Sequence, residues 1–310
     1  MPKLIMMVGV AGSGKSTIAM KIATQTKEEV IILSSDAIRG EIYGDENCQR
    51  NPGRVFDIMH QRTVAALSQD ISVIYDATNL NCKRRMNFLK SIAHIDCRKE
   101  CVVVVTTPED IAERMQHRDR KVPYIVVHKQ LCQFQCPNYY EGWDTIRIIH
   151  NSTPEACHAS YKKLWAECDI SHDNPHHSLS VMEHMNQAAD IAENLAWKDD
   201  DLSLVHERWV ARIHDIGKAR TKSFIDRDGN PSKVAHYIGH QNYGAYYSLI
   251  FDNSDFDISE KDSLDNACLI QWHMEHYLRK GDALCKFYAM FEPKFRKRLH
   301  CLEKADKAAH

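Results

Sequence analysis

Two groups of residues in this 310-residue chain have the types and spacing that chemistry demands. The first is contiguous. Gly9-Val10-Ala11-Gly12-Ser13-Gly14-Lys15-Ser16-Thr17 has the form G-x-x-x-x-G-K-S-T and follows the apolar run 4–8. A buried strand that feeds a glycine-rich turn and then a helix is the context in which such a loop binds phosphate. Gly12 and Gly14, on either side of Ser13, let the loop's backbone N–H groups close around phosphate oxygens without Cβ clashes, and the helix that starts near Lys15 adds its positive dipole end. Lys15 then reaches the β- and γ-phosphates of ATP or another nucleoside triphosphate, Ser16 holds Mg²⁺, and Thr17 completes the loop. The second group is dispersed over helical patterns: His184, the pair His214-Asp215, His240, His273 and Asp306. Four or five helices that each aim a His or Asp inward are how bundles build metal sites. Lys218 would point at a phosphate held there. His and carboxylate ligands suit Mn²⁺, Fe²⁺, Ni²⁺, Co²⁺ or Zn²⁺. His276 lies three residues after His273 on the same helical face, so the two can exchange roles.

Further residues of interest follow strand-like runs. Ser34-Ser35-Asp36-Ala37-Ile38-Arg39 opens a helix. Asp36 there can accept a proton from an attacking hydroxyl and Arg39 can hold the phosphoryl acceptor. Equally, Asp36 can be a helix N-cap with Arg39 on the surface. Asp76-Ala77-Thr78-Asn79 follows the third strand, where Asp76 can orient Mg²⁺ through water or anchor Arg39, and Asn79 reads as a turn residue. Segment 113–123 carries Arg114, Arg118, Arg120 and Lys121 ahead of Pro123. A basic loop between two helices reads as a lid that brings an arginine to the transferring phosphoryl group, or as a solvated charge run.

These residues need elements to position them. Apolar, mostly β-branched runs at 4–8, 30–33, 73–75, 102–106 and 146–149 alternate with helical patterns near 15–26, 54–69, 83–94, 108–116 and 123–134. That alternation predicts an α/β domain, a doubly wound parallel sheet with ligands beyond the carboxyl ends of its strands. After a short helix over 156–168 the strand patterns largely stop, and long helical patterns take over near 178–195, 203–216, 241–251, 260–279, 283–290 and 293–308. The expectation is a domain over 1–152, a linker over 153–172 and an all-α domain over 173–310. Gly217 is expected to end the helix that carries His214 and Asp215.

Composition narrows the function classes. The formal net charge is −2, so no global basic field points to a polyanion, and any such site must be a local patch. Eleven Cys occur without a Cys-x-x-Cys pair, which predicts reduced thiols and a cytoplasmic protein. The chain starts directly in its first strand pattern and has no apolar run of spanning length, so neither a signal peptide nor a membrane partner is expected. Thirteen of the 18 His lie after residue 150, which assigns the second half its own chemistry, with a metal.

The order of the Gly-rich loop, Ser-Asp-x-x-Arg, Asp-Ala-Thr-Asn, Arg-x-x-x-Arg and Val-Pro resembles the P-loop kinase half of bacteriophage polynucleotide 5′-hydroxyl kinase and its relatives. The resemblance covers 1–150. It implies that Asp36 is the general base, that Arg39 contacts the acceptor end, and that a lid arginine acts on the β- and γ-phosphates. Arg118 matches that arginine best, with Arg114 or Arg120 as substitutes. Over 170–310 the ordered set His184, His214-Asp215, His240, His273, Asp306 resembles the HD phosphohydrolase superfamily. That implies one or two divalent cations that polarise a phosphate ester and activate water.

Jointly the resemblances imply a bifunctional enzyme that heals RNA or DNA ends. It phosphorylates 5′-hydroxyls with ATP and removes 2′,3′-cyclic phosphate or 3′-phosphate, ahead of a separate ligase, in a cytoplasm (the host's if phage-encoded). A small-molecule or nucleoside kinase fused to an HD nucleotidase is the alternative. A third class is a hydrolase gated by an ATP-binding module, against which the presence of Asp36 argues.

Overall fold

The computed structural model describes residues 1–117, 122–175, 178–251 and 258–309. The chain divides into two compact units. One comprises residues 1–127 with 137–152; the other comprises 128–136 with 153–310.

The first unit is built on β1 (Lys3–Val8), α1 (Lys15–Gln25), β2 (Val30–Ser34), α2 (Ser35–Tyr43), α3 (Pro52–Leu67), β3 (Ser72–Asp76), α4 (Cys82–Ser91), β4 (Arg98–Val105), α5 (Pro108–Gln116) and β5 (Thr145–His150). A further helix, α6 (Tyr124–Leu131), runs across the division between the units. All five strands are parallel, in the order β2-β3-β1-β4-β5. The apolar runs of the central strands β1, β3 and β4 are buried on both faces, which is why they lack an alternating polar pattern, whereas the edge strands β2 and β5 are only partly buried. Ile5, Met7, Ile74, Val102 and Val104 pack with Ile18 and Ala19 of α1. Each such side chain contributes about 1.5–3 kcal/mol by leaving water. The chain turns to opposite sides of the central strand β1, which leaves a crevice beyond its carboxyl end. Polar residues set the helix starts: Ser34 caps α2, Asn51 caps α3, and Thr107 followed by Pro108 opens α5.

The second unit contains α7 (Pro154–Ala166), α8 (Val181–Ala196), α9 (Leu204–Ile213), α10 (Lys218–Thr221), β6 (Ser223–Ile225), β7 (Pro231–His236), α11 (His240–Phe251), α12 (Glu260–Trp272), α13 (Glu275–Leu278), α14 (Asp282–Ala289) and α15 (Pro293–Ala308). Helix α7 lies in the stretch read as a linker and packs into this unit, where Tyr161 meets Trp209 and Phe251. Ser180 and Glu183 form a reciprocal capping box at the start of α8. Residues 243–251 of α11 are buried without a break, as befits a central helix.

Three expectations are corrected here. The unit is not all-α, because β6 and β7 pair as an antiparallel hairpin. Its turn is held by the Asp226 carboxylate, which accepts from the Asp228 and Asn230 N–H groups, with Gly229 at φ 87°. The helix over 260–279 is broken into α12 and α13 around His273. Gly217 is right-handed at φ −64° and does not end a helix: α9 stops at Ile213 and α10 starts at Lys218.

In the first unit, Arg85 and Glu141 form a buried ion pair, Nε–Oε2 2.7 Å and Nη2–Oε1 2.5 Å, and Arg85 also donates to the Asn79 carbonyl at 2.8 Å. Removing one partner strands a buried charge, whereas removing both does not. Arg85→Met should lower the unfolding free energy of this unit by about 3–5 kcal/mol in urea titrations, and Arg85→Met/Glu141→Leu should recover most of that loss.

Candidate active site and metal centre

The glycine-rich loop leaves β1 and turns into α1 at Lys15, as the sequence predicts. Gly14 makes that turn at φ 91°, and a Cβ there would sit 2.2 Å from Asn151 Nδ2. The loop is held at its Ser13 carbonyl, which accepts from Thr106 Oγ1 and Asn151 Nδ2, both at 2.8 Å. Lys15 Nζ donates to the Val10 carbonyl at 2.7 Å, so its ammonium lies across the loop. Ser16 and Thr17 are exposed at the first turn of α1. The loop after β3 is tied in as well: Gly9 N–H donates to the Thr78 carbonyl at 3.1 Å and Asn79 Nδ2 to the Met7 carbonyl at 2.7 Å. Asn79 takes the left-handed turn expected of it, at φ 48°.

Buried Asp76 ends β3 in register with Ser34 on one side and Met7 on the other. Asp36 is not the cap of α2, since the Ser34 hydroxyl accepts from the Asp36 N–H. Its carboxylate instead accepts from Arg39 Nη1 at 2.6 Å, and Arg39 also bonds Ser35 Oγ at 3.4 Å. The Arg39 side chain is buried and that of Asp36 half-exposed. Arg118 and Arg120 lie outside the described residues. Arg114 donates to the Asn151 carbonyl, with its guanidinium 3.6 Å from where a Gly14 Cβ would be. Sequence reasoning missed Thr106 and Asn151, although both follow strands at the carboxyl edge where functional groups were sought.

In the second unit the dispersed residues come together. His184, His214, Asp215 and Asp306 each offer an atom within 4.8 Å of the others, and so do Asp215, His240 and His273, which leaves Asp215 common to both groups. All six are buried. The four imidazoles share one device: each Nδ1 bonds a main-chain carbonyl. His184 bonds Ala309 at 2.7 Å, His214 bonds Ala211 at 2.7 Å, His240 bonds Tyr237 at 2.6 Å and His273 bonds Ile270 at 2.6 Å. A carbonyl only accepts, so each Nδ1 carries the proton and each Nε2 is turned toward the carboxylates. His184 and His214 Nε2 lie 3.1 and 3.2 Å from Asp306 Oδ1; His240 and His273 Nε2 lie 3.3 and 3.6 Å from Asp215 Oδ1.

Asp215 Oδ1, His240 Nε2 and His273 Nε2 are buried without a hydrogen-bond partner. Lone pairs that face one another in a dry site fit a cation better than they fit each other. His276 lies apart, with its Nδ1 on the His273 carbonyl at 2.8 Å, and His273 is the one in the group.

Electrostatics follow from burial and proximity. Burial alone would keep His214 neutral, but Asp215 and Asp306 outweigh it and push its pKa up to about 10. Burial would raise Asp215 too, yet Lys218 and His214 hold it well below the usual carboxylate range. Asp306 is likewise held low, against burial, by His184 and His214. Burial lowers His240. Lys218 Nζ sits 2.6 Å from Asp215 Oδ2 and 5.5 Å from the centre of the Tyr237 ring. His172, which sequence reading passed over in a turn, is buried beside it, its Nδ1 on the Leu179 carbonyl at 2.8 Å and its Nε2 3.3 Å from Lys218 Nζ. Burial first and Lys218 second lower its pKa to about 4, so it stays neutral and accepts from the ammonium.

Residues 4–137 match the family described as "AAA domain". The glycine-rich loop, the parallel sheet and its strand order fit a P-loop domain. No curated protein sequence matches the chain. Among solved structures, a gluconokinase from Sinorhizobium meliloti 1021 is 22% identical at TM-score 0.36, over 50% of this chain and 86% of that one. A sugar kinase from Janibacter sp. HTCC2649 is 18% identical at TM-score 0.37, over 53% and 93%. A chain of the Pnkp1/Rnl/Hen1 RNA repair complex is 24% identical at TM-score 0.36, over 43% of each. Among the described residues, no helix is long and apolar enough to cross a membrane.

Two outcomes are expected of the metal centre. Gly217 lets two backbones meet, since a Cβ there would lie 2.1 Å from the His240 carbonyl oxygen. Gly217→Ala should therefore destabilise this unit by about 1–3 kcal/mol in thermal or urea unfolding and lower its metal content by displacing His240. Elemental analysis of purified protein should find a divalent transition metal that is absent from a His214→Ala/Asp215→Ala variant; equal content in both would remove the assignment.

Proposed function

We propose that the chain is a bifunctional nucleic-acid end-healing enzyme. Its first unit transfers the γ-phosphate of ATP to a 5′-hydroxyl of RNA or DNA. Its second unit removes a 2′,3′-cyclic phosphate or 3′-phosphate, leaving ends for a separate ligase. The observation that carries this reading is the presence in one chain of a phosphate loop beside the Asp36–Arg39 pair and a cluster of four imidazoles around two carboxylates. The first arrangement suits adding a phosphate and the second suits removing one.

In the kinase step Lys15 leaves the Val10 carbonyl for the phosphates, and Ser16 faces Mg²⁺. Asp36 takes the proton of the attacking hydroxyl while Arg39 holds the acceptor. Ordered positioning supplies most of the acceleration in such transfers. In the hydrolytic step His184, His214, Asp215 and Asp306 hold one divalent cation, and His240 and His273 hold a second with Asp215. Cations bound there supply Lewis-acid chemistry at a phosphate ester. Lys218 then steadies the phosphate, with His172 and Tyr237 fixing the ammonium. The donor set accepts Mn²⁺, Fe²⁺, Ni²⁺, Co²⁺ or Zn²⁺.

The test is to incubate the protein with labelled ATP and oligonucleotides ending in 5′-hydroxyl, 2′,3′-cyclic phosphate or 3′-phosphate, then resolve the termini. Label that enters only mononucleosides or sugars would move the reading to a small-molecule kinase joined to a nucleotidase. The two activities should separate by single substitutions, because the two sites share no residues. Lys15→Ala or Asp36→Ala should cut 5′-phosphorylation about 10²–10⁴-fold and leave 3′-end hydrolysis near normal. Asp215→Ala should do the reverse. Equal loss of both kcat values in a folded Asp215→Ala protein would refute the two-site reading.

A further inference from the structure

A cavity of about 670 Å³ opens beside the metal centre, and Asp215, His240 and Asp306 form part of its lining together with Lys218. That volume falls in the range of small-molecule sites. One wall is of a different kind from this polar floor: Tyr237, Ile238, Tyr277 and Leu278 line it, and the last three are exposed. The two rings are held in place. Tyr277 lies against His276 with ring centroids 3.7 Å apart, and the Tyr237 hydroxyl donates to the His172 carbonyl at 2.5 Å. Arg227, from the β6–β7 turn, and Lys307, from α15, add positive charge to the lining.

A phosphosugar or a polyphosphate needs hydrogen-bond donors or cations along its whole length, and this wall offers chiefly apolar and aromatic surface. A nucleotide needs what is present: cations for phosphates and a ring face for the base. Resting on the reading of this unit as a phosphohydrolase, we propose that the wall binds the terminal base of a 3′-phosphorylated nucleic-acid end. The 3′-phosphate sits at Lys218 and the metal centre, the base stacks on Tyr277, and the preceding phosphodiester lies toward Arg227 and Lys307. Water supplies the new P–O bond, the P–O3′ bond breaks, and the 3′-oxygen leaves with a proton as a hydroxyl. The cleft therefore prefers an end with a base on its last sugar, which a general phosphatase does not.

Two tetraribonucleotides test this. Both carry a 5′-phosphate, so neither is a kinase acceptor, and both end in a 3′-phosphate; one has a base on its last sugar and the other has none. Binding is read by calorimetric titration in EDTA, and phosphate release is read separately with Mn²⁺. The wild-type chain should bind the base-bearing end about tenfold more tightly. Tyr277→Ala should remove most of that preference, and Tyr277→Phe, which keeps the ring, should retain it. Equal affinity of the wild type for both ends overturns the inference and leaves the phosphohydrolase reading in place. So does an equal loss for both ends in Tyr277→Ala. A base preference that Tyr277→Ala abolishes, with no phosphate released from either end, supports the base wall and refutes the 3′-phosphatase part of the phosphohydrolase reading.

Discussion

Four main-chain carbonyls decide the chemistry of the second unit. Those of Ala211, Tyr237, Ile270 and Ala309 each take the Nδ1 proton of a histidine, and with that proton fixed the other nitrogen of every ring must face inward. Three of the four bonds are local. His214, His240 and His273 each reach back three residues, so the backbone that places the ring also sets its tautomer. His184 is tied instead to the Ala309 carbonyl, beyond the end of the helix that carries Asp306. The inward lone pairs then need a counterpart. The Nε2 of His214, protonated below its raised pKa, donates to Asp306, but the unpartnered Nε2 atoms of His240 and His273 face Asp215 Oδ1, and a carboxylate oxygen only accepts. Lys218 offsets part of the negative charge, and the remaining donor atoms are of the kind that suit a multivalent cation.

The first unit solves its own problem by similar means. A phosphate loop must present N–H groups outward, so its carbonyls have to be occupied from behind. Thr106 and Asn151, from the ends of β4 and β5, both occupy the Ser13 carbonyl, and the loop after β3 closes on Gly9. The sheet thus holds the loop from the ends of three other strands, β3, β4 and β5, and parallel register is what brings those strand ends to one edge.

The sequence made the scaffold of the first unit legible because its central strands are buried apolar runs and its loop is contiguous. The dispersed metal residues were legible as a set, since each lies on its own helical pattern. What escaped was whatever depends on contacts far along the chain. Thr106 and Asn151 look like ordinary loop residues until the strands align. His172 sits in a turn with no periodic pattern. The β6–β7 hairpin has a short first strand and polar residues on its second, so periodicity gave no sign of it, although Asp228-Gly229-Asn230 is a recognisable turn. Gly217 was read as a helix terminator because glycine usually is one there; its actual role is close approach to His240, which no local signal conveys. The choice between His273 and His276 likewise needed coordinates, as both lie on one helical face.

Residues 128–136 belong to the second unit although the strand that follows them, β5, belongs to the first. His128 reaches the Arg220 carbonyl, the Cys132 carbonyl takes Asn242, and the Cys136 N–H meets Gln271. Neither unit is therefore a single run of chain, and no one cut separates them. On the ribosome the P-loop sheet can close once β5 has emerged, while the nine residues already committed to the helical unit wait for partners more than 80 positions downstream. The His/Asp cluster likewise spans much of the second unit's chain, since Asp306 comes only with the last helix.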